Sequence, residues 1–301
     1  MLRLLKWLLS PLLLLFFGVF QLIRCSSGYK EKDGKIYFNG EEITDKSFVV
    51  LNDAFAKDST TAYYKNKSFQ YADVATFEAV DDHYAKDKNK AYYCDEYCEG
   101  QNYYMTKRQT ITEINNAQLS SFVSLTNGYA KDNLHAYFEG IAFKVKDVAT
   151  LEVIDWHFVK DAVQAYLNRQ PIAGSDGKTF ELIDDNFAKD TAHIYYYGYT
   201  GENQHNICIL PCDKSSFEIL DAFYSKDKNN VFFLGMTIKG ADGATFQVLK
   251  EGYSKDKNAV YFESKKMTGV HPATFEVYEE NELSGHDFKF AKDEATVFMD
   301  D

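Results

Sequence analysis

The sequence predicts an all-β protein of tandem 29-residue β-hairpin repeats, eight copies preceded by a half repeat and stacked in the manner of a solenoid. Three observations predict it. A Lys-Asp pair recurs eight times, with its aspartate at 58, 87, 132, 161, 190, 227, 256 and 293, and a 29-residue period with insertions of 16, 8 and 8 accounts for every spacing. Aromatic residues make up 16% of the chain, 22 Tyr and 24 Phe against 2 Trp, and such side chains suit a pleated surface. With 45% hydrophobic and 26% charged residues and only 4 Pro, the composition is that of a chain that folds, with neither a disordered nor a collagen-like bias.

The first element, residues 1–28, places Arg3 and Lys6 before an apolar run from Trp7 to Ile23, the pattern of a signal peptide or an N-terminal membrane anchor. At about 1.5 Å per helical residue the run reaches about 25 Å, a length that leaves both readings open. Leu22-Ile23-Arg24-Cys25 resembles a lipobox and makes Cys25 a candidate lipidation site, although Arg24 stands where that motif has a small residue. The small residues from Cys25 to Gly28 would equally serve an ordinary signal peptidase. Each reading puts the body, residues 29–301, outside the cytoplasm at the cell envelope, with the membrane as partner through the N-terminal segment. Arg24, Lys30 and Lys32, which follow the run, pull toward the opposite orientation. The segment before Tyr29 holds three cations and no acid, so the total of −12 becomes −15 for the body, a charge that repels nucleic acid.

Within the period the order is Thr or Ser, an aromatic, commonly Glu, two apolar residues, three variable residues, an aromatic, Ala/Ser-Lys-Asp, three variable residues, and a small or β-branched residue before two aromatics. TFELIDDNFAKDTAHIYY, residues 179–196, shows it well. One more apolar position follows five residues on, at Phe69, Phe143, Ile172, Ile238 and Met267, with Ile43 as its counterpart in the half repeat. These segments are too short and too aromatic for helices and read as strand, turn, strand, turn, short strand. Asn39-Gly40 and Glu139-Gly140 fall between the second and third, where a tight hairpin wants positive φ. The repeated aromatics read as a core ladder, with a sugar-binding stripe as the alternative. One unit cannot bury them alone, so neighbours must stack. A closed β-propeller is the alternative architecture, although the period is short for a four-stranded blade.

The repeated Asp87-Lys88-Asn89, Asp227-Lys228-Asn229 and Asp256-Lys257-Asn258, each followed by an aromatic strand, resemble the DKNYE repeat family of bacterial, often exported, proteins. The resemblance covers residues 30 to 299 and implies no established activity, cofactor or catalytic residue. The structural turns it frames are Lys57-Asp58, Lys86-Asp87, Lys131-Asp132, Lys160-Asp161, Lys189-Asp190, Lys226-Asp227, Lys255-Asp256 and Lys292-Asp293. The aspartate is expected to accept N–H groups one or two residues on, and the lysine to reach the first-segment glutamate present as Glu78, Glu152, Glu181, Glu218 and Glu276. A calcium loop would begin with Asp-x-Asn as well, but its glycine and closing glutamate are missing.

Cys94 and Cys98 lie in the 16-residue insertion, and Cys208 and Cys212 in the first 8-residue one. Two local disulfides, Cys94–Cys98 and Cys208–Cys212, fit an oxidising compartment, with free thiols as the alternative and zinc disfavoured by the distance between the pairs. Tyr97, Tyr103, Tyr104, Tyr197 and Tyr199 stand outside the lattice, in or beside these insertions, and are candidate interaction residues. Among the histidines, His83, His135, His157 and His193 sit at variable turn positions, and no phosphate loop, nucleophile elbow or metal motif is present. No cofactor, metal or catalytic residue is expected. The expected function is an exported, membrane-tethered binding or structural module of the cell envelope with a protein or glycan partner. A carbohydrate or peptidoglycan binder is the second reading, and a hydrolase with an unseen site the third.

Overall fold

The computed structural model of the chain describes residues 28–98, 107–200, 204–279, 289–294 and 297–299. The signal or anchor segment with Cys25 lies outside the described residues, as do Tyr103 and Tyr104. Among the described residues, apart from one 3-10 turn at Lys214–Ser216, every regular element is a β-strand, and no sheet closes into a barrel. Among the described residues no helix is long and apolar enough to cross a membrane. The chain divides into two compact units, one ending at Trp156 and the other beginning at His157.

In the first unit the half repeat is a three-stranded antiparallel sheet of Tyr29–Lys32, Lys35–Phe38 and Glu41–Ile43. Copy 1 follows with Val49–Val50, Phe55–Lys57, Ala62–Tyr64 and Lys67–Ser68, copy 2 with Glu78–Ala79, Tyr84–Lys86, Ala91–Cys98 and Lys107–Ile114, and copy 3 with Val123–Ser124, Tyr129–Lys131, Ala136–Phe138 and Ile141–Phe143. The second unit opens on Phe158–Lys160, Ala165–Leu167 and Gln170–Pro171 of copy 4. Copy 5 comprises Glu181–Leu182, Phe187–Lys189, Ile194–Thr200 and Gln204–Ile209. Copy 6 comprises Glu218–Ile219, Tyr224–Lys226, Val231–Phe233 and Met236–Thr237, and copy 7 Gln247–Val248, Tyr253–Lys255, Val260–Phe262 and Lys265–Lys266. Copy 8 has three strands among its described residues, Glu276–Glu279, Lys289–Lys292 and Val297–Met299.

A complete copy thus has four strands where the sequence pattern leads to three segments. The first segment is broken by a second aspartate turn. Asp81 Oδ1 accepts the N–H groups of His83 and Tyr84, Asp184 Oδ1 those of Asn186 and Phe187, and Asp221 Oδ1 those of Phe223 and Tyr224. Because the outermost strands are dipeptides in most copies, the short period still has room for four. The hairpin into the last strand has the expected backbone: Glu139 and Gly140 lie at φ 49 and 77, Leu234 and Gly235 at 47 and 77. At Gly140 a Cβ would stand 2.6 Å from Tyr93 Cβ, so the residue is glycine for closeness as well as for φ.

The aspartate of each Lys-Asp pair does more than close a turn. In copies 2 to 8 it is buried, and in copies 2, 3, 5 and 7 its donors come from three stretches of chain. In copy 2, Asp87 Oδ1 accepts N–H from Asn89 (2.7 Å) and Lys90 (2.8 Å), while Oδ2 accepts the Tyr92 hydroxyl (2.9 Å) and the N–H of Asp73, fourteen residues upstream (2.7 Å). The same four donors surround Asp132, Asp190 and Asp256. In copy 6 the phenol is replaced by Phe232, and Asn230 Nδ2 supplies the missing donor to Asp227 Oδ2 at 3.1 Å. The lattice Thr or Ser completes the corner by accepting the N–H of the residue after the aspartate, as Thr76 does from Lys88 and Thr245 from Lys257. Where that residue is lysine it also pairs with the upstream acid: Lys88 with Asp73 at 2.6 Å, Lys257 with Asp242 at 2.5 Å, and Lys228 with Asp213.

The lysine of the pair meets its glutamate at Lys86–Glu78 (3.3 Å), Lys189–Glu181 (3.0 Å) and Lys226–Glu218 (3.6 Å). It also reaches into the next copy, which the sequence pattern does not show. Lys57 Nζ donates to the carbonyls of Val74 and Phe77, Lys131 to those of Val148 and Ala149, Lys160 to Phe180 and Lys255 to Phe275. Tyr84 hydroxyl donates to Gly128 O (2.7 Å), and Tyr224 hydroxyl to Gly252 O (3.1 Å). Between these stitches the aromatics form shared clusters: Phe55 and Tyr64 of copy 1 with Phe77 and Tyr92 of copy 2, and Phe233 of copy 6 with Phe246 and Tyr261 of copy 7. The ladder is therefore core.

Phe187, 1% exposed, should lose about 3 to 5 kcal/mol of stability on change to Ala, and the exposed Asn229 under about 1, measured by denaturant unfolding. Equal losses would contradict the assignment of core and surface. Burial alone would raise the Asp132 carboxyl, but the N–H of Gln118, the Tyr137 hydroxyl and the N–H groups of Leu134 and His135 hold it at about 2. Asp58 also lies at about 2, chiefly through the Tyr63 hydroxyl. A carboxyl depressed in the folded state contributes stability in full above its unfolded value near 3.8 and loses it as pH falls toward 2. Stability should therefore drop between about pH 4 and pH 2, and Asp132→Asn should shrink that drop; an unchanged pH profile in the variant would remove Asp132 from the cause.

Candidate functional site

Copy 2 departs most from the lattice. Its third and fourth strands pair over eight residues, from Ala91↔Ile114 to Cys98↔Lys107, whereas the matching strands of copy 1 pair at Tyr63↔Ser68 and Tyr64↔Lys67. The 16-residue insertion is thus an extended hairpin, an arm that continues the sheet. In copy 5 the 8-residue insertion lengthens the same hairpin, to Ile194–Thr200 and Gln204–Ile209.

The arm is fastened to copy 1 through Glu96. Its side chain is 8% exposed, and its Oε1 lies 2.9 Å from both Lys65 Nζ and Lys107 Nζ, with Gln109 Nε2 2.9 Å from Oε2. Burial would push this carboxyl up, but the two ammonium groups and the amide hold it at about 2. So many donors make it an anchor rather than a proton-transfer group. Lys67 Nζ adds a bond to Gln109 O at 2.6 Å. Between the two copies lies a cleft of ≈ 490 Å³, walled by Lys67 to Tyr71 on one side and by Tyr92, Ile111 and Glu113 on the other. That volume is within the range of small-ligand pockets. Tyr71 is 77% exposed at its rim, and the Lys90–Glu113 ion pair (2.6 Å) borders it. A smaller cleft of ≈ 360 Å³ lies at the half repeat, and one of ≈ 400 Å³ sits over the Asp256–Lys257 corner. Of the three, only the first is walled by an insertion.

The expected disulfides are not formed: Cys94, Cys208 and Cys212 are free. Cys94 and Cys98 lie four residues apart on one extended strand, a separation of about 13 Å against the roughly 7 Å limit between bridged Cα atoms. Cys94 points into the core beside Phe69 and Tyr92, where burial pushes its thiol well up. Cys208 is exposed at the end of its hairpin, and Cys212 packs against the Phe187 cluster. Of the candidate interaction tyrosines, Tyr97 is exposed on the arm. Tyr197 is turned inward, its ring edge-on to Phe158 at 4.8 Å, because the lengthened hairpin keeps the strand alternation of the lattice. Tyr199 lies on the strand Ile194–Thr200.

Among the described residues no group of three or more His, Cys, Asp or Glu side chains is placed to hold a metal ion. The corner aspartates already accept four donors each in copies 2, 3, 5 and 7, which leaves no open lone pairs for calcium. The turn histidines bond locally, His83 Nδ1 to Cys94 O at 3.0 Å and His157 Nδ1 to Asn168 Oδ1 at 2.9 Å. Tyr71 is the residue that reasoning from the insertions passes over, yet it carried a signal as an aromatic two residues beyond the lattice Phe69. A family model, the DKNYY family, matches residues 12–96, 97–236 and 158–301. No curated protein and no solved structure matches the chain.

The thiol geometry has a direct test. A maleimide applied to the native protein should label Cys208 within minutes and Cys94 only after denaturation, as read by peptide mass. A native Cys208–Cys212 bridge in that mass map would overturn it.

Proposed function

Taking as premise that the chain belongs to the DKNYY family, we propose that it is a non-catalytic binding scaffold of the bacterial cell envelope, tethered by its N-terminal segment, with its recognition surface on copy 2. The observation that carries this reading is the cleft beside the arm. Lattice side chains are accounted for by packing and by the corners. The arm is an addition that Lys65 and Lys67 hold rigid, and a loop presented by a rigid scaffold is a common place for recognition. The apolar N-terminal run and the body charge of −15 support a tethered protein whose partners are not nucleic acids. A reporter active only outside the cytoplasm, fused after Asp301, should be active, and activity of a cytoplasmic reporter instead would remove the envelope location.

The second reading specifies the occupant as a saccharide. Tyr71 favours it: an exposed ring beside Gln70, Lys67 and Glu113 offers an apolar face for a sugar ring and polar groups for its hydroxyls. Soluble cell-wall saccharides titrated into the full chain should bind, and Tyr71→Ala should weaken them by about tenfold, roughly 1.4 kcal/mol, with the unfolding midpoint unchanged. Equal affinity in the variant would move the saccharide out of this cleft.

A further inference from the structure

The arm ends its sheet. Lys107–Ile114 pairs with Ala91–Cys98 on one side, and no described strand pairs with its other side. In an antiparallel ladder the N–H and C=O of one residue face the same neighbour, and successive residues alternate. Cys94 N–H donates to His83 O, away from the arm's last strand, so in the Cys94↔Ile111 and Glu96↔Gln109 pairs the backbone groups point apart and those of Lys107, Gln109, Ile111 and Glu113 face outward, where Gln109 O accepts from Lys67 and keeps a second lone pair. The last strands of copies 1, 6 and 7 are two residues long, a common way of blunting an edge. This edge is eight residues long and holds the β-branched run Thr110-Ile111-Thr112.

The edge is also complementary to itself. Two copies set antiparallel about a two-fold axis through Thr110 place Lys107 opposite Glu113 of the second copy, Gln109 opposite Ile111, Arg108 opposite Thr112, and Thr110 opposite its own counterpart. Lys107 and Glu113 both belong to the outward-facing set, so this register also pairs the backbone. Opposite charges and paired threonines across strands are each stabilising. Both side chains are about half exposed, at 49% and 45%, and so can accept a second partner while keeping Glu96 and Lys90. The charges would then run Lys90, Glu113, Lys107 of the second copy, Glu96 of the second copy, alternating in sign.

We propose that the outer edge of the arm is a dimerisation edge, at which two copies of this chain join by antiparallel strand pairing centred on Thr110. This goes beyond the binding reading and adds to it. A dimer carries two clefts, and a polymeric ligand that spans both is held by effective concentration as well as by contact.

The test uses the full-length chain in its membrane. Thr110 would form a non-hydrogen-bonded pair with Cα atoms about 4.5 Å apart, within disulfide range, so Thr110→Cys should give a disulfide dimer on a non-reducing gel several-fold above the parent chain. In that background Lys107→Glu or Glu113→Lys should cut the yield several-fold, and the double reversal should restore it. The restoration is diagnostic. Within one copy Lys107 faces Glu96 and Glu113 faces Lys90, and the double reversal leaves both of those contacts like-charged, so only pairing between copies can recover. No dimer from Thr110→Cys beyond the parent level, or no recovery in the double reversal, overturns the proposal. Saccharide titration of Lys107→Glu, a position outside the cleft walls, shows separately whether the cleft works without the dimer.

Discussion

The regularity of copies 2 to 8 depends on a buried carboxylate that must be satisfied. An aspartate out of water is costly unless each oxygen finds donors, and no short stretch of chain supplies enough of them. Asp87 takes two N–H groups from its own turn, a phenol from the strand after it and an N–H from the loop that opens its copy. One charge therefore fixes three stretches of a copy together. Copy 6 shows that the requirement is the donor and not the tyrosine, since Asn230 stands in where Phe232 has no hydroxyl. Copy 8 shows that spacing is free if the donors arrive. Its upstream N–H, from His271, comes from 22 positions away instead of 14, because the last insertion lengthens the first two strands without disturbing the corner.

From the corner the rest of the lattice follows. The lysine before the aspartate is aimed away from its own turn, and its ammonium meets carbonyls at the start of the next copy, as at Lys57 and Phe77. The tyrosine two residues before that lysine does the same at Tyr84 and Gly128. Copies 1, 2, 3, 4 and 7 thus reach their successors with a base, and copies 2, 3 and 6 with a phenol, around aromatics that neighbouring copies bury together. Stability in such an arrangement is a sum over copies and their junctions.

The arm belongs to a different category. It grows from the hairpin after the double-aromatic strand, a place none of the corner donors crosses, so its length costs the lattice nothing. What makes it a candidate surface is that it is held: Glu96 is buried between two ammonium groups, one from copy 1 and one from the arm itself. A hairpin fastened in this way presents a fixed cleft on one side and a fixed edge on the other.

The all-β class, the period, the Lys-Asp turn, the positive-φ hairpins and the aromatic core were legible in the sequence because each rests on local chemistry repeated eight times. Repetition separates a packing position from a variable one. The fourth strand was not legible, since Asp81, Asp184 and Asp221 look like ordinary loop acids until their N–H donors are seen. Nor was the second lysine of the DKN copies, whose partner lies fifteen residues back. The cysteines were misread as bridges for the same reason. Whether a Cys-x-x-x-Cys closes depends on whether the chain turns between the thiols, and here an antiparallel partner, Lys107–Ile114, keeps the strand carrying Cys94 and Cys98 straight. The sequence by itself determined the repeat and its corner, because those contacts span a few residues. Only the tertiary structure decided the cleft, the Glu96 anchor and the open edge of the arm, because each brings together residues whose separation along the chain has no fixed relation to their distance in space.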